Sequence, residues 1–241
     1  MTNATGVTAP AAYARFAGLS YLAIFALAIY ANFVVFDPLI VSGDPAATAA
    51  NITKNASEFR LGIAASLTVL IFDVLVAWSL YLVMKPVSAS LSLLSAIFQL
   101  VYATAYISVV LKLVSALRFL DAPQNYAAFD AAQIETLGYH FIAGHGAEFA
   151  MTLIFFGMRL LLLGYLIIRS TFLPSLIGAL VALAGAGYII DAYASFLIPA
   201  YSAAKLSTYV AILPGLIGEG LLTLWLIVFG VNRDKWLEAS G

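Results

Sequence analysis

The chain has 241 residues, 63% of them hydrophobic and 10% charged, with a formal net charge of −1 at neutral pH. An ordinary soluble domain carries about 25% charged residues, so a water-soluble globule is excluded, and the near-neutral balance offers no electrostatic footprint for nucleic acid. Cysteine is absent, which rules out disulfides, thiolate metal ligands and cysteine nucleophiles.

Mean hydropathy is +1.02, and the apolar residues are gathered into runs. A run of about 20 crosses a hydrocarbon core of about 30 Å as a helix. The first covers residues 16–36. Arg15 precedes it and Ala26-Leu27-Ala28 resembles a leader cleavage site, but the apolar run continues to Phe36, as in an uncleaved anchor. The second covers 61–84 and stops at Lys85-Pro86, and the third covers 91–113. The fourth, fifth and sixth cover 149–168, 173–190 and 209–231. The fold expected is all-α: one polytopic membrane domain over residues 1–241, a bundle of six transmembrane helices whose main partner is the lipid bilayer.

Short links at 85–90 and 169–172 make hairpins of spans two–three and four–five. Arg15, Lys85, Arg169, Arg233 and Lys235 then share one side, and Lys54, Arg60, Arg118 and Lys205 the other, with most of the loop acids. The positive-inside rule points to a cell-membrane protein with both termini in the cytoplasm.

Asp44-Pro45 reads as an N-cap with proline at the first helical position, opening a short helix to about Asn55. Asp130 with Gln133 reads as a capping box. A helix from Ala131 to Ile168 would be about 57 Å long, so a break is expected near Gly144-His145-Gly146. Pro214 is expected to free the carbonyl of Val210 and kink span six ahead of Glu219. Gly178, Ala182 and Ala186 form a small-residue seam, suited to helix packing or to a homodimer contact. Tyr and Trp call for no special function, Trp236 being placed as an interfacial anchor.

The functional argument rests on ionisable residues within the apolar runs. Asp73 lies midway along span two, Glu148 opens span four with Arg159 at its middle, Asp191 lies in span five, and Glu219 is near the middle of span six. Such groups are expensive in a membrane and face a bundle interior or a cavity. At 100° per residue, His145, Glu148, Thr152 and Arg159 fall within about 60° of one another. Span three offers Ser95, Gln99, Tyr102 and Tyr106 on a polar stripe, with Lys112 off it, placed to snorkel. Four acids then face one base, Arg159, and the excess must hold a proton or bind a cation. His145 and Glu148, spaced i, i+3, could join Asp191 and Glu219 around a divalent metal ion. His140 lies off this stripe.

Arg15-Phe-Ala-Gly-Leu-Ser-Tyr-Leu, Gly43-Asp-Pro-Ala-Ala-Thr-Ala-Ala-Asn, Phe59-Arg-Leu-Gly, Ile71-Phe-Asp-Val, Leu153-Ile-Phe-Phe-Gly, Leu161-Leu-Leu-Gly-Tyr-Leu-Ile, Gly187-Tyr-Ile-Ile-Asp and Leu216-Ile-Gly-Glu, in that order, resemble a bacterial multi-pass membrane family designated domain of unknown function 4386. The resemblance implies a six-helix bacterial inner-membrane protein and brings no activity. Where that family's pattern more often has His, this chain has Arg159, which stays charged and cannot ligate metal.

Three functions fit these residues. The first is binding of a small molecule or ion, as in a proton- or cation-coupled transporter, with Asp73, Gln99, Tyr102, His145, Glu148, Arg159, Asp191 and Glu219 lining one pocket. The second is an intramembrane metal-dependent hydrolase built on His145, Glu148, Asp191 and Glu219. The third is a structural or partner-binding protein whose polar residues only join helices.

Overall fold

In the computed structural model, which describes residues 10–198, 200, 201 and 206–240, the apolar runs are helical. Lys205, counted above among the basic residues of the loops, lies outside the described residues. In chain order the helices are α1 (Pro10–Ile29), α2 (Pro45–Lys54), α3 (Ala56–Met84), α4 (Ala89–Asp121), α5 (Ala131–Ala143), α6 (His145–Arg169), α7 (Ser175–Leu197), α8 (Leu213–Val228) and α9 (Arg233–Ser240). Six stretches are long and apolar enough to cross a membrane: Pro10–Leu39, Ala56–Met84, Ala89–Asp121, Ala131–Arg169, Ser175–Leu197 and Thr208–Val228. This is an all-helical, multi-pass membrane protein. Its helices bury only part of their apolar surface within the chain. Leu176, Leu183 and Ile190, seven residues apart along α7, are exposed, as are Leu216 and Leu224 on α8. A lipid solvent accounts for such stripes, where water would penalise them by about 25 cal/mol per Å².

Local signals act where the residues place them. The Asp44 carboxylate accepts from the Ala47 backbone N–H at 2.9 Å and starts α2. Asp130 and Gln133 exchange side-chain bonds with each other's backbone N–H, at 2.8 and 3.0 Å, and start α5. Gly144 separates α5 from α6, as the length of that span requires.

Two spans contain π-helical turns. One, Tyr30–Phe36, continues α1 and is followed by Pro38; the other, Thr208–Ile212, leads into α8 and Pro214. A proline offers no N–H to the carbonyl four residues back and its ring crowds that carbonyl. A wider turn moves the carbonyl aside. The expected kink at Pro214 therefore takes the form of a π turn, and the same residue type at 38 marks one in the first span, where a plain helix was expected.

The chain divides into two compact units, with boundaries inside the helices. The first comprises Met1–Leu22, Asp73–Tyr102 and Leu153–Gly241. Within it, α6 and α7 meet backbone to backbone: a Cβ on Gly178 would lie 2.7 Å from the Gly164 carbonyl oxygen, and one on Gly164 would lie 2.7 Å from the Ala182 nitrogen. The small-residue seam is thus occupied inside the chain, which removes it as a dimer surface. Gly187 receives the carbonyl of Val210, the group released by Pro214, and leaves no space for a Cβ there. Trp236 on α9 donates from Nε1 to the Val83 carbonyl at 2.9 Å.

The second unit comprises Ala23–Phe72 and Ala103–Thr152. In it α2 packs on α5, and the Tyr139 hydroxyl accepts from the Gly43 N–H at 2.6 Å. Arg60 and Asp121 form an ion pair at its exposed edge.

Candidate functional site

Six helices of the first unit contribute members to one polar cluster. Tyr21 comes from α1, Asp73 from α3, Gln99 from α4, Arg159 from α6, Tyr188 from α7 and Glu219 from α8. Asp73, Gln99, Arg159 and Glu219 are 3%, 1%, 2% and 4% exposed, so neither water nor lipid headgroups solvate them. Burying an ion without a partner costs several kcal/mol, and the contacts here reduce that cost group by group.

The Gln99 Nε2 donates to Asp73 Oδ1 at 2.7 Å. The Tyr188 hydroxyl donates to Glu219 Oε1 at 3.0 Å; Gly215, one helical turn before Glu219, has no Cβ and so leaves space for that hydroxyl. The Arg159 guanidinium carbon lies 5.4 Å from the ring centroid of Tyr21 and 5.4 Å from that of Phe156. Cation–π contacts of this kind are worth about 2 kcal/mol when desolvated. The arginine's charge acts on both carboxyl groups, and Glu219 acts on Asp73. The Ser95 hydroxyl donates to the backbone carbonyl of Arg159 at 3.2 Å and ties α4 to α6 at the same level. Tyr102, Phe156 and Tyr188 pack in series, with centroids 4.8 and 5.7 Å apart.

The balance remains incomplete. Among the described residues, Asp73 Oδ2, Gln99 Oε1 and both terminal nitrogens of Arg159 have no hydrogen-bond partner. A void of about 10 Å³ adjoins Arg159, bordered by Ser92, Ser95, Leu163 and Leu166, room for about one water. Among the described residues, the larger hollows found are not lined by members of this cluster. One of about 460 Å³ lies beside Lys54 and Glu135, and one of about 350 Å³ is an apolar groove lined by Leu180 and Trp225.

Other residues singled out above have different surroundings. Asp191 is buried and its Oδ1 accepts from the Tyr201 hydroxyl at 2.7 Å. In the second unit, Glu148 is paired with Lys112, the two side chains being 35% and 41% exposed. Lys112 was expected to snorkel alone; instead it provides the countercharge, and Glu148 leaves the set of unmatched acids. His145 opens α6 between the rings of Phe36 and Tyr106, at 5.9 and 6.4 Å, and its Nε2 has no partner among the described residues. Thr152 bonds to its own helix at the Phe149 carbonyl, and His140 is exposed. Among the described residues, no three His, Asp or Glu side chains are grouped to hold a metal ion. Glu148, Asp191 and Glu219, expected around a metal, each have a separate partner.

Two members of the cluster escaped the sequence reading. Tyr21 and Tyr188 were assigned no function, as ordinary membrane aromatics; Tyr21 packs on Arg159 and Tyr188 bonds Glu219. Their signal was weak, because Tyr21 and Tyr188 lie near the ends of the runs 16–36 and 173–190, where a tyrosine also reads as an anchor.

A six-span helical protein with a buried acid–base cluster is the class these features define. The chain belongs to the family described as Domain of unknown function (DUF4386), whose model matches residues 16–230. It is similar to an uncharacterized protein of Archaeoglobus fulgidus, 32% identical over 162 residues, which are 67% of this chain and 79% of the relative. No solved structure matches it.

Proposed function

We propose that this chain is a proton-binding membrane protein, its buried cluster serving proton-coupled transport. The observation that carries this reading is the charge count of the cluster around Arg159. Asp73 and Glu219 are both buried within reach of the field of one cation, Arg159. A guanidinium balances one carboxylate; the second must be neutral or hold a cation. A small organic ligand fits less well, because the void at the cluster is about one water in size. A di- or trivalent ion needs several oxygen or nitrogen ligands, and the described carboxylates are not so grouped.

The accompanying orientation places both termini in the cytoplasm, supported by Arg15, Lys85, Arg169, Arg233 and Lys235 at the ends of the spans. The test is proton flux into reconstituted vesicles loaded with a pH-indicating dye, driven by a potassium diffusion potential. Acidification is expected with the wild type and its loss with Asp73→Asn or Glu219→Gln. Wild-type vesicles that behave as protein-free vesicles would overturn the transport reading.

A further inference from the structure

Within that reading, the structure assigns the proton to one place: we propose that Asp73 and Gln99 form a carboxylic acid–amide ring, in which the proton on Asp73 Oδ2 is donated to Gln99 Oε1. Half of this ring is present as the bond from Gln99 Nε2 to Asp73 Oδ1 at 2.7 Å. The two remaining polar atoms of the same two side chains, Asp73 Oδ2 and Gln99 Oε1, have no partner among the described residues. Both are acceptors when Asp73 is ionised, so neither can satisfy the other. One added proton converts Oδ2 into a donor and satisfies both oxygens. The side chains are 3% and 1% exposed, and a buried unsatisfied polar atom costs about 1–3 kcal/mol. A single proton therefore removes two such costs.

Glu219 does not have this arrangement. Its Oε1 accepts from the Tyr188 hydroxyl, a donor that needs no proton on Glu219. The groups facing Asp73 from the neighbouring helices are Tyr21 of α1, Gln99 of α4, Arg159 of α6 and Glu219 of α8. With the proton on Asp73, the cluster around Arg159 carries one cation, Arg159, and one anion, Glu219. The proton is taken from water and returned to it, with no change in oxidation state.

Infrared spectroscopy of the purified full chain in lipid nanodiscs tests this assignment through the carbonyl stretch of a protonated carboxylic acid. At neutral pH the wild type is expected to show this band and Asp73→Asn to lose it, while Glu219→Gln keeps it. In Gln99→Leu the band is expected to move to higher frequency, because the carbonyl loses the Nε2–H bond. Asp73→Asn preserves side-chain shape, and Gln99→Leu provides an independent readout if that variant misfolds. A band that survives in Asp73→Asn and disappears in Glu219→Gln would overturn the assignment while leaving proton binding intact. An unmoved band in Gln99→Leu would overturn the ring. Absence of the band from the wild type throughout the pH range of its folded state would overturn both the assignment and the proton-binding reading.

Discussion

Arg159 is among the largest side chains buried in the described residues. Its guanidinium sits between two rings and acts on two carboxyl groups. Replacement by methionine keeps the volume but removes the countercharge of Glu219. Leaving a buried carboxylate without nearby countercharge costs several kcal/mol, and a loss of that order is expected in thermal or denaturant unfolding of Arg159→Met in detergent. Adding Glu219→Gln to Arg159→Met is expected to recover much of it. A double variant no more stable than Arg159→Met would show that the two charges are not coupled. Lys112 and Glu148 provide the contrast. Their pair is partly exposed, and such pairs contribute about 0–1 kcal/mol. Lys112→Met is therefore expected to shift the unfolding midpoint far less than Arg159→Met does.

The buried charges were legible because each is an isolated ionisable residue in an apolar run. Asp73, Arg159, Asp191 and Glu219 could be picked out on that basis, and all four are buried. Their pairings were not legible. Whether Glu148 meets Lys112, or Asp191 meets Tyr201, depends on helix rotation and crossing, which apolar periodicity leaves undetermined when both the interior and the lipid are apolar. Tyr188 was missed for a related reason: tyrosine is common at membrane interfaces, so its type did not separate a hydrogen-bond donor from an anchor.

At the scale of elements, helix ends were easier to read than helix interiors. Asp44, Asp130 and Gln133 satisfy free backbone groups locally, so spacing alone identifies them. The break at Gly144 follows from length, because no bilayer accommodates the uninterrupted helix. The π turns depend on where a displaced carbonyl finds space. For Val210 that space is at Gly187. Gly187→Ala is expected to destabilise the protein by about 1–3 kcal/mol, the usual cost of overpacking, as read from the unfolding midpoint. Gly146, a helical residue with open space around its Cα, is the control. Gly146→Ala is expected to be neutral or to stabilise by up to about 1 kcal/mol. Equal losses in the two variants would contradict the packing described for Gly187.

For the molecule as a whole, the absence of cysteine makes orientation directly measurable. Single cysteines at Ser240 and at Asn51 are expected to differ in intact cells: Asn51→Cys reacts with a membrane-impermeant maleimide, and Ser240→Cys reacts only after lysis. The reverse pattern would place the termini outside. The six spans themselves follow from composition, since a chain this apolar and this poor in charge has few alternatives to crossing a bilayer.

The central claim, that the folded interior holds a proton on its surplus acid, is tested most directly by the pH dependence of unfolding in the wild type and the Asp73→Asn, Glu219→Gln double variant. In the unfolded chain these carboxyls are ionised above about pH 5. If the folded state retains a proton that the unfolded state has lost, stability falls as pH rises, by up to about 1.4 kcal/mol per unit for one proton. The account predicts this decline in the wild type and a flatter profile in the double variant, whose amides cannot ionise. Identical slopes in the two proteins would contradict it.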